Sequence, residues 1–511
     1  MGILAALFSS LSSLLLKFVV LYFLGNVVYQ LFLSPLRHIP GPWYAAISEA
    51  WLTSHVFRLR QCRAVQSLFE VYGPIVRIAP NKVAYRDATS NKRIYNNSKF
   101  SKGIFYKSLL TNDNDHAMSI LPHAQHAVRR KSFAPHYTPS NVALFQPEMR
   151  DYTLEVVEIL EQTGGKEAVD VLHLFREMLV DIICEASFNY KVGALKARTR
   201  DGHQHYLVRA IDDFPKVGVL RGLVPVWAWE YVCNIPNDRW KAFCDADKMI
   251  AKFIGDRVHE KRAEMKDGKL DEMERKPLVQ RLLEYRLPSG ELMPEKDVVS
   301  EHEGHFIAGV DTTSTTLSFA LWELSRRPDV ARKLHAELDG AMPDRKTIPD
   351  ITVLEKLPYF NAVIKETLRI YGPGPSLLER VVPEAEPSFE VLGCHIPPGT
   401  TIATQSWSVH RDASVFPSPE TYLPDRWLDA DEEQLAEMTA HWMPFGSGIR
   451  ICGGMAFALQ DIRIGLATFA RNFDVTAPLD ETNDRTMEVR DAFVSFPAAM
   501  RCKLKFHTRA Q

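Results

Sequence analysis

Ten residues near the carboxyl terminus, 445–454, read FGSGIRICGG and combine one cysteine, one arginine and four glycines. Glycines let the backbone approach a flat cofactor closely and adopt conformations closed to other residues. Backbone N–H groups in such a loop can hold the sulfur of Cys452 as an anion, Arg450 can pair with a carboxylate of the cofactor, and Phe445 can shield the sulfur from water. The helical pattern that follows, MAFALQDIRIGLATFARNF, places Cys452 near a helix N-terminus, where a thiolate is favoured. The alternative is a buried structural cysteine in a glycine-rich turn.

The same loop matches the pattern F-x-x-G-x-R-x-C-x-G at every fixed position. It resembles the haem-binding loop of the cytochrome P450 family, in which a cysteine thiolate is the axial ligand of the haem iron. The resemblance implies that Cys452 is the metal ligand and that haem b is the cofactor. The haem-binding residues that it implies in this loop are Phe445, Gly446, Gly448, Arg450, Cys452 and Gly454.

A second motif, AGVDTT, lies inside a long helical pattern over residues 305–329. Glycine and threonine are poor helix formers, and their cost is tolerable where a helix is deformed to admit a ligand or water. A threonine hydroxyl beside an aspartate then offers a path for a proton, while a buried face rich in serine and threonine is the alternative. The motif resembles the oxygen-activating groove of the same family. The resemblance implies that Asp311 and Thr312 are catalytic, that Ala308 and Gly309 contact the haem, and that Thr313 completes the motif.

A third motif, E-x-x-R, places Glu366 and Arg369 on one face of a predicted helix, and PDRW follows at residues 424–427. Alone, such an i,i+3 pair contributes only a few tenths of a kcal/mol on a surface, about 0.2–0.5. The family shows a Glu/Arg/Arg network behind the haem, so the resemblance implies that Arg426 joins the pair. These three residues are therefore expected to be structural rather than catalytic.

The segment HAVRRK, residues 126–131, places His126 and Arg130 four positions apart on a helix. Family members often carry Trp or His with Arg at this spacing, where both contact the haem propionates, and the resemblance extends this role to His126 and Arg130. The alternative is a set of solvated basic side chains. A second propionate contact is expected from His410 or Arg411 in SVHRD.

Composition restricts the class of protein. The chain has 511 residues, 46% hydrophobic and 24% charged, with a net charge of −2, so no global field favours nucleic acid. Seven scattered cysteines, none in a C-x-x-C pair, argue against a disulfide framework or a zinc ribbon and fit a reducing compartment.

The amino-terminal segment predicts a membrane anchor over residues 1–34, followed by a proline-rich hinge over 35–45 and a catalytic domain over 46–511. Residues 3–33 are almost wholly apolar, with Lys17 as the one charge, and about 20 apolar residues suffice to span a bilayer. A cleaved signal peptide is the alternative, although a signal peptide typically has a positively charged amino-terminal region and a cleavage site of small residues. Because Arg37 and His38 follow the segment, the positive-inside rule predicts a single-pass protein of the endoplasmic-reticulum membrane whose body faces the cytosol.

The remaining pattern predicts a mainly α fold with small β-sheets. Residues 61–73 have helical spacing, 74–87 alternate like a short hairpin, and 88–290 read as amphipathic helices broken at Pro135, Pro139, Pro225 and Pro236. The charged run 257–276 predicts a solvated helix end and loop. Proline and β-branched residues return over 377–408, so we expect a sheet built from both ends of the chain. This order agrees with the cytochrome P450 fold that the motifs imply.

Together these features predict a haem-thiolate monooxygenase that inserts one oxygen atom from O2 into a lipophilic small molecule, in the style of fungal secondary metabolism of polyketides or terpenoids. No nucleotide-binding glycine fingerprint is present in the sequence, so the resemblance implies NADPH electrons from a separate cytochrome P450 reductase, with cytochrome b5 as an optional second donor. The alternatives are a haem-thiolate isomerase, dehydratase or desaturase, and a haem-based sensor. The resemblance also implies an apolar substrate pocket lined by Phe105, Leu109, Leu110, Leu220, Leu223, Phe493 and the segment 376–378.

Overall fold

The structure, a computed structural model, describes residues 2–201, 204–270 and 275–509. Within these ranges the helices are α1 Gly2–Val28, α2 Trp43–Ile47, α3 Ala50–Phe57, α4 Gln61–Tyr72, α5 Ala88–Tyr95, α6 His123–Phe133, α7 Pro139–Val142, α8 Gln146–Thr163, α9 Val171–Phe188, α10 Ala194–Asp201, α11 Tyr206–Leu223, α12 Val226–Cys233, α13 Asp238–Cys244, α14 Ala246–Lys266, α15 Gln280–Glu284, α16 Glu295–Arg326, α17 Pro328–Ala341, α18 Ile351–Leu354, α19 Pro358–Tyr371, α20 Ser406–Val409, α21 Arg426–Asp429, α22 Glu432–His441 and α23 Met455–Asn472. The strands are β1 Ile75–Ala79, β2 Lys82–Tyr85, β3 Ser101–Lys102, β4 Val169–Asp170, β5 Arg380–Val381, β6 Glu390–Val391, β7 Cys394–His395, β8 Thr401–Ala403, β9 Phe473–Thr476, β10 Val489–Ala492, β11 Val494–Pro497 and β12 Lys503–Thr508. The predicted class, mainly helical with small sheets, is confirmed.

The amino-terminal helix stands apart from the body. The stretch Leu11–Leu33 has 23 residues and a mean hydropathy of 1.9, and none of it is buried, so by length and composition it can span a membrane. Its end is tied to the body by the buried side chain of Arg77, which donates to the backbone carbonyls of Gln30 and Pro80 at 2.9 and 2.7 Å. The backbone N–H of Arg77 also donates to the carbonyl of Pro40 at 2.8 Å. Hydrogen bonds from Arg77 therefore hold both the end of the apolar helix and Pro40 against the body.

The largest sheet has five strands in the order β1-β2-β8-β5-β3. The predicted hairpin of β1 and β2 is present and antiparallel, and β8 joins it in parallel, with Val83 opposite Ile402. Strands from the first hundred residues thus pair with strands from residues 380–403, as the composition of both segments predicted. Two smaller sheets lie on the helical side, β4-β12-β9 and the hairpin β10-β11.

The helical block is organised around α16, a 32-residue helix that packs against α9, α11, α14, α19 and α23. In α9, 17 of the 18 residues are buried, which is the pattern of a helix enclosed on all sides. Of the predicted helix breaks, Pro139 and Pro225 lie at the start of α7 and α12. Pro215 is not among the predicted breaks, and it lies inside α11, where it removes one backbone hydrogen bond. The charged run 257–276 begins in α14, which ends at Lys266; residues 271–274 lie outside the described ranges.

Candidate active site

The cysteine loop is a tight turn that leads into α23. Gly446 and Gly448 have φ of 76° and 70°, in the left-handed region that favours glycine. A Cβ on Gly448 would lie 2.1 Å from the carbonyl oxygen of Tyr95, so a side chain there has no room. The N–H of Cys452 donates to the carbonyl of Phe445 at 2.9 Å, and α23 begins three residues later with Gly454 as its N-cap. The loop therefore presents the Cys452 thiol just before a helix N-terminus.

The thiol of Cys452 lies within the protein interior and still has exposed surface. Burial raises its pKa, while the backbone N–H of Gly454 and the Arg130 guanidinium act in the opposite direction. Ala308, in the buried middle of α16, is exposed as well. Surface of this kind inside a folded body borders an internal cavity. Phe133 of α6 joins the two walls, because its ring centroid lies 4.5 Å from that of His305 on α16 and its edge 3.0 Å from a Cβ placed on Gly453.

One side of this region carries a cation cluster, which we define as Lys102, His126, Arg130, Arg380 and Arg450. Burial, followed by the charge of Arg380, lowers the pKa of Arg450 to about 10. Burial and the charges of Arg380 and Arg450 lower the pKa of Lys102 well below its ordinary value. Burial and the charges of Arg450 and Lys102 lower the pKa of His126 to about 3. These groups are therefore close enough to disfavour one another's positive charge.

The side chains of the cation cluster find few hydrogen-bond acceptors among the protein's own groups. Arg450 donates to the carbonyls of Ile120 and Leu121 at 3.1 and 2.9 Å, and Lys102 donates to the carbonyl of Met118 at 2.7 Å. Over the described part of the chain, no Lys or Arg of the cluster forms a salt bridge, and the Nδ1 of His126 is buried without a hydrogen-bond partner. A group of basic side chains that is partly buried and in this state is suited to bind carboxylates. A thiol and a cluster that can accept two carboxylates fit haem, which carries both an iron and two propionates.

The distal motif lies on α16, which remains an unbroken helix through residues 308–313. The deformation expected from the sequence is therefore not observed. A Cβ on Gly309 would lie 2.6 Å from the Cδ1 of Ile183 in α9, so a side chain at this position requires the Ile183 side chain to shift. The hydroxyl of Thr312 donates to the carbonyl of Ala308 at 2.7 Å, whereas Thr313 is buried.

The carboxylate of Asp311 is not hydrogen-bonded to Thr312. It is buried and pairs with the Arg176 guanidinium of α9 at 2.5 Å, and Arg176 also pairs with Asp212 of α11. Burial raises the pKa of Asp311, and the charge of Arg176 opposes this effect. The Thr312 and Asp311 side chains therefore have different partners. Thr312 is half-buried and hydrogen-bonded within α16, and Asp311 belongs to an ion-pair network with neighbouring helices.

The structure brings together Glu366, Arg369 and Arg426. Glu366 is fully buried and accepts from Arg369 at 2.8 and 2.9 Å, from Arg426 at 3.0 Å and from the indole of Trp427 at 3.0 Å. The N–H of Leu423 adds a fifth donor at 2.8 Å. This is a satisfied buried network with no accessible acid or base, which agrees with a structural role.

His410 and Arg411 do not lie with the cation cluster, so the expectation of a second propionate contact from them is wrong. The Nδ1 of His410 donates to the carbonyl of Arg369 at 2.9 Å, and its Nε2 accepts from the N–H of Met443 at 2.8 Å. Burial lowers the pKa of His410 to about 3, consistent with a neutral ring. Arg411 stacks on Trp407, 3.6 Å from its centroid. His410 instead connects the glutamate–arginine network to the start of the cysteine loop.

The basic residues that complete the cation cluster were missed by sequence reasoning. Lys102 lies in β3 and Arg380 in β5, and the two are Cα partners in adjacent strands. Arg380 is an isolated basic residue in the apolar run LLERVVP, which was the available signal.

The expected pocket residues are only partly gathered. Phe105, Tyr106 and Phe493 form an aromatic cluster, with the Phe105 and Phe493 centroids 5.6 Å apart. Leu378 reaches the cysteine loop, since its Cδ1 lies 3.9 Å from a Cβ placed on Gly446. Leu377 points the other way, into a core cluster of the β-rich lobe, so its assignment to the pocket is wrong. The reason is that neighbouring residues of an extended segment face opposite sides.

Comparison with known proteins agrees with this geometry. A family model described as Cytochrome P450 matches residues 45–501. The cytochrome P450 monooxygenase stcB of Emericella nidulans is 30% identical over 491 residues, 93% of this chain and 89% of that protein. The cytochrome P450 monooxygenase aflV of Aspergillus parasiticus is 27% identical, covering 94% and 93% of the two chains. Tryprostatin B 6-hydroxylase of Aspergillus fumigatus is 28% identical, covering 95% and 83%.

Proposed function

The chain belongs to the cytochrome P450 family, and from this premise we propose that it is a haem-thiolate monooxygenase of fungal secondary metabolism that inserts one atom of O2 into a lipophilic small molecule. The observation that carries the proposal is the combination of a Cys452 thiol before the N-terminus of α23 and a partly buried cation cluster whose lysine and arginines form no salt bridge over the described part of the chain.

In this proposal the residues of the chain have separate tasks. Cys452 ligates the iron as a thiolate, favoured by the Gly454 N–H, the helix N-terminus and Arg130. The cation cluster binds the two propionates and is in turn relieved of its own repulsion. Bound haem supplies the redox chemistry that activates dioxygen. Thr312 holds a hydroxyl on the α16 face of the site, and Asp311 can deliver a proton when it is released from Arg176.

The amino-terminal segment supports a proposal for the protein's location and for the source of its electrons. Residues 1–34 form the anchor, 35–45 the hinge and 46–511 the catalytic domain. Arg37 and His38 after the anchor favour a cytosolic body on the endoplasmic-reticulum membrane. Electrons from NADPH then arrive through a membrane-bound cytochrome P450 reductase, with cytochrome b5 as a second donor.

The side chains of the aromatic cluster indicate the chemical class of the substrate. The aromatic cluster of Phe105, Tyr106 and Phe493 provides an apolar wall beside the cation cluster, because Lys102 lies 4.2 Å from the centre of the Tyr106 ring. By its name, one relative hydroxylates tryprostatin B. A lipophilic substrate such as a polyketide, a terpenoid or an aromatic metabolite fits such a wall.

The test is a difference spectrum of the reduced protein with carbon monoxide. The wild type should show the band at about 450 nm that thiolate-ligated haem gives, and Cys452→Ser should abolish it. Cys394→Ser is the matched control, because Cys394 is a free, half-buried cysteine in β7, and it should retain the band. Survival of the band in Cys452→Ser would show that another residue holds the iron.

A further inference from the structure

The hairpin of β10 and β11 reaches the site with a single residue. Its register pairs Ala492 with Val494, so Phe493 alone forms the tip, with φ of 70°. The ring of Phe493 lies 5.6 Å from that of Phe105 and 6.0 Å from that of Tyr106. Strand β11 also packs against α16. The hairpin therefore places the side chain of Phe493 against Phe105 and Tyr106, while its second strand packs on α16.

Two residues below the tip, Asp491 fastens this hairpin to the start of α4. The N–H of Asp491 donates to the carbonyl of Leu59 at 3.0 Å, and its Oδ2 accepts from the N–H of Cys62 at 3.2 Å. Cys62 is the second residue of α4, so the carboxylate satisfies a donor that the helix itself leaves unpaired. Leu59 has φ of 54°, a conformation that a leucine adopts only when its surroundings hold it there. Asp491 thus fixes the hairpin through both its backbone and its side chain.

The burial of Asp491 distinguishes this contact from the ion pairs nearby. Asp491 is 5% exposed, and burial raises its pKa to about 6 against the effect of the Cys62 N–H. Glu488, at the base of the hairpin, pairs with Arg60 and Arg63, whose side chains are 45% and 44% exposed. Exposed pairs of this kind contribute little to stability, about 0–1 kcal/mol. On the opposite strand Ser495, the Cα partner of Asp491, is tied to the carbonyls of Pro373 and Gly372 at 3.0 and 3.3 Å.

We propose that Asp491 is a positioning residue of the active site: by accepting the Cys62 N–H it holds Phe493 against Phe105 and Tyr106 and so sets the affinity for bulky apolar ligands. This rests on the proposed haem function, because the ligands enter the haem site. Asp491 touches neither ligand nor cofactor. Its effect acts only through the location of the Phe493 ring.

The acceptor oxygen, rather than the negative charge, is the property that matters. Burial disfavours the charge of Asp491, as the direction of its pKa shift states. Asparagine keeps an oxygen at the same position and is as good a residue for capping helix donors. Asp491→Asn should therefore preserve the position of Phe493. Asp491→Ala removes this acceptor and leaves the hairpin held only by the backbone of Asp491 and by Ser495, so the tip is less firmly positioned.

The test compares two ligands in spectral titrations of the holoprotein. Imidazole is a single small ring, whereas clotrimazole adds three aryl rings to its imidazole, so a residue that lines the pocket should affect only the larger ligand. Loss of a helix-capping acceptor lowers the population of the positioned tip, so Asp491→Ala should weaken clotrimazole roughly threefold to thirtyfold and leave imidazole unchanged. Asp491→Asn should match the wild type for both ligands. Phe493→Ala should reproduce the clotrimazole loss, and adding Asp491→Ala to it should cause no further loss.

Three outcomes overturn the proposal: unchanged clotrimazole affinity in Asp491→Ala, equal weakening of both ligands, or an Asp491→Asn variant as weak as Asp491→Ala. If Asp491→Ala does not incorporate haem, Asp491→Ser takes its place, since the shorter hydroxyl cannot reach the Cys62 N–H from the same backbone position. Imidazole also separates this proposal from the one before it. A wild-type protein without an imidazole-induced spectral shift contradicts the haem function, whereas a normal imidazole shift with unaltered clotrimazole affinity contradicts only the role of Asp491.

Discussion

Replacing Glu366 by glutamine tests the buried network behind the cysteine loop. The Oε1 of Glu366 accepts from Arg369, Arg426 and the Leu423 N–H, and its Oε2 accepts from Arg369 and Trp427. If the side-chain oxygen of the glutamine takes the place of Oε1, its NH2 group takes the place of Oε2. There it meets the N–H donors of Arg369 and Trp427 and cannot accept from them. It also leaves two buried guanidinium groups without their counter-ion.

The magnitude follows from this geometry. Removing one partner of a buried ion pair costs about 3–5 kcal/mol, because an uncompensated charge stays in the interior. A folded body of this size unfolds with an entropy of about 1 kcal/mol/K, so we expect the thermal midpoint to fall by about 3–5 °C. His410 connects Arg369 to the N–H of Met443, ahead of the cysteine loop. The carbon monoxide band should therefore be lost together with the fold.

The assay follows haem absorbance on heating at one scan rate, for the wild type, Glu366→Gln and a control. Glu355→Gln is the control, because Glu355 pairs with Arg463 at 3.1 Å but is 48% exposed; such a pair contributes about 0–1 kcal/mol, and its loss should shift the midpoint by no more than about 1 °C. If Glu366→Gln and Glu355→Gln unfold at the same temperature, the assignment of a structural charge network to Glu366 is wrong.

Three further changes have defined outcomes. Thr312→Ala should retain folding, the carbon monoxide band and ligand binding, yet yield less product and more hydrogen peroxide per NADPH, since proton placement contributes about 10²–10⁴-fold. Thr312→Ser should retain much of the coupling between NADPH consumption and product. Wild-type coupling in Thr312→Ala would contradict a role of the Thr312 hydroxyl in proton placement. Deleting residues 1–34 should release most of the protein from alkali-washed membranes while haem still binds, and full retention would place the anchor elsewhere. Burial alone would lower the pKa of His173, but its hydrogen bonds to Asp170 and Asp212 raise it to about 9. Its contribution to stability is therefore complete below pH 6.5 and lost as pH rises through about 9, and His173→Asn should flatten the unfolding midpoint over this range.

Several features could be read from the sequence because their causes are local. The cysteine loop is specified within ten residues, since the positive φ angles of Gly446 and Gly448 and the helix after Cys452 depend on residues next to them. The apolar stretch Leu11–Leu33 is evident from composition alone, because about 20 apolar residues match the thickness of a bilayer. The hairpin of β1 and β2 followed from alternation over a dozen residues.

Other features depend on which distant residues meet, and only the tertiary structure decided them. Lys102 and Arg380 join the cation cluster because β3 pairs with β5, which places two residues 278 positions apart opposite each other, a pairing with no local signature. Asp311 pairs with Arg176 rather than with Thr312 because α9 packs along α16, and the same packing brings Ile183 close to Gly309. His410 has the residue type of a propionate ligand, yet it bonds Arg369 and Met443 instead. Backbone conformation responds to neighbours within a few residues, whereas charge pairing and close packing act through space. The sequence alone therefore determined the cysteine loop and the apolar amino-terminal helix, and the folded chain determined the environment in which they lie.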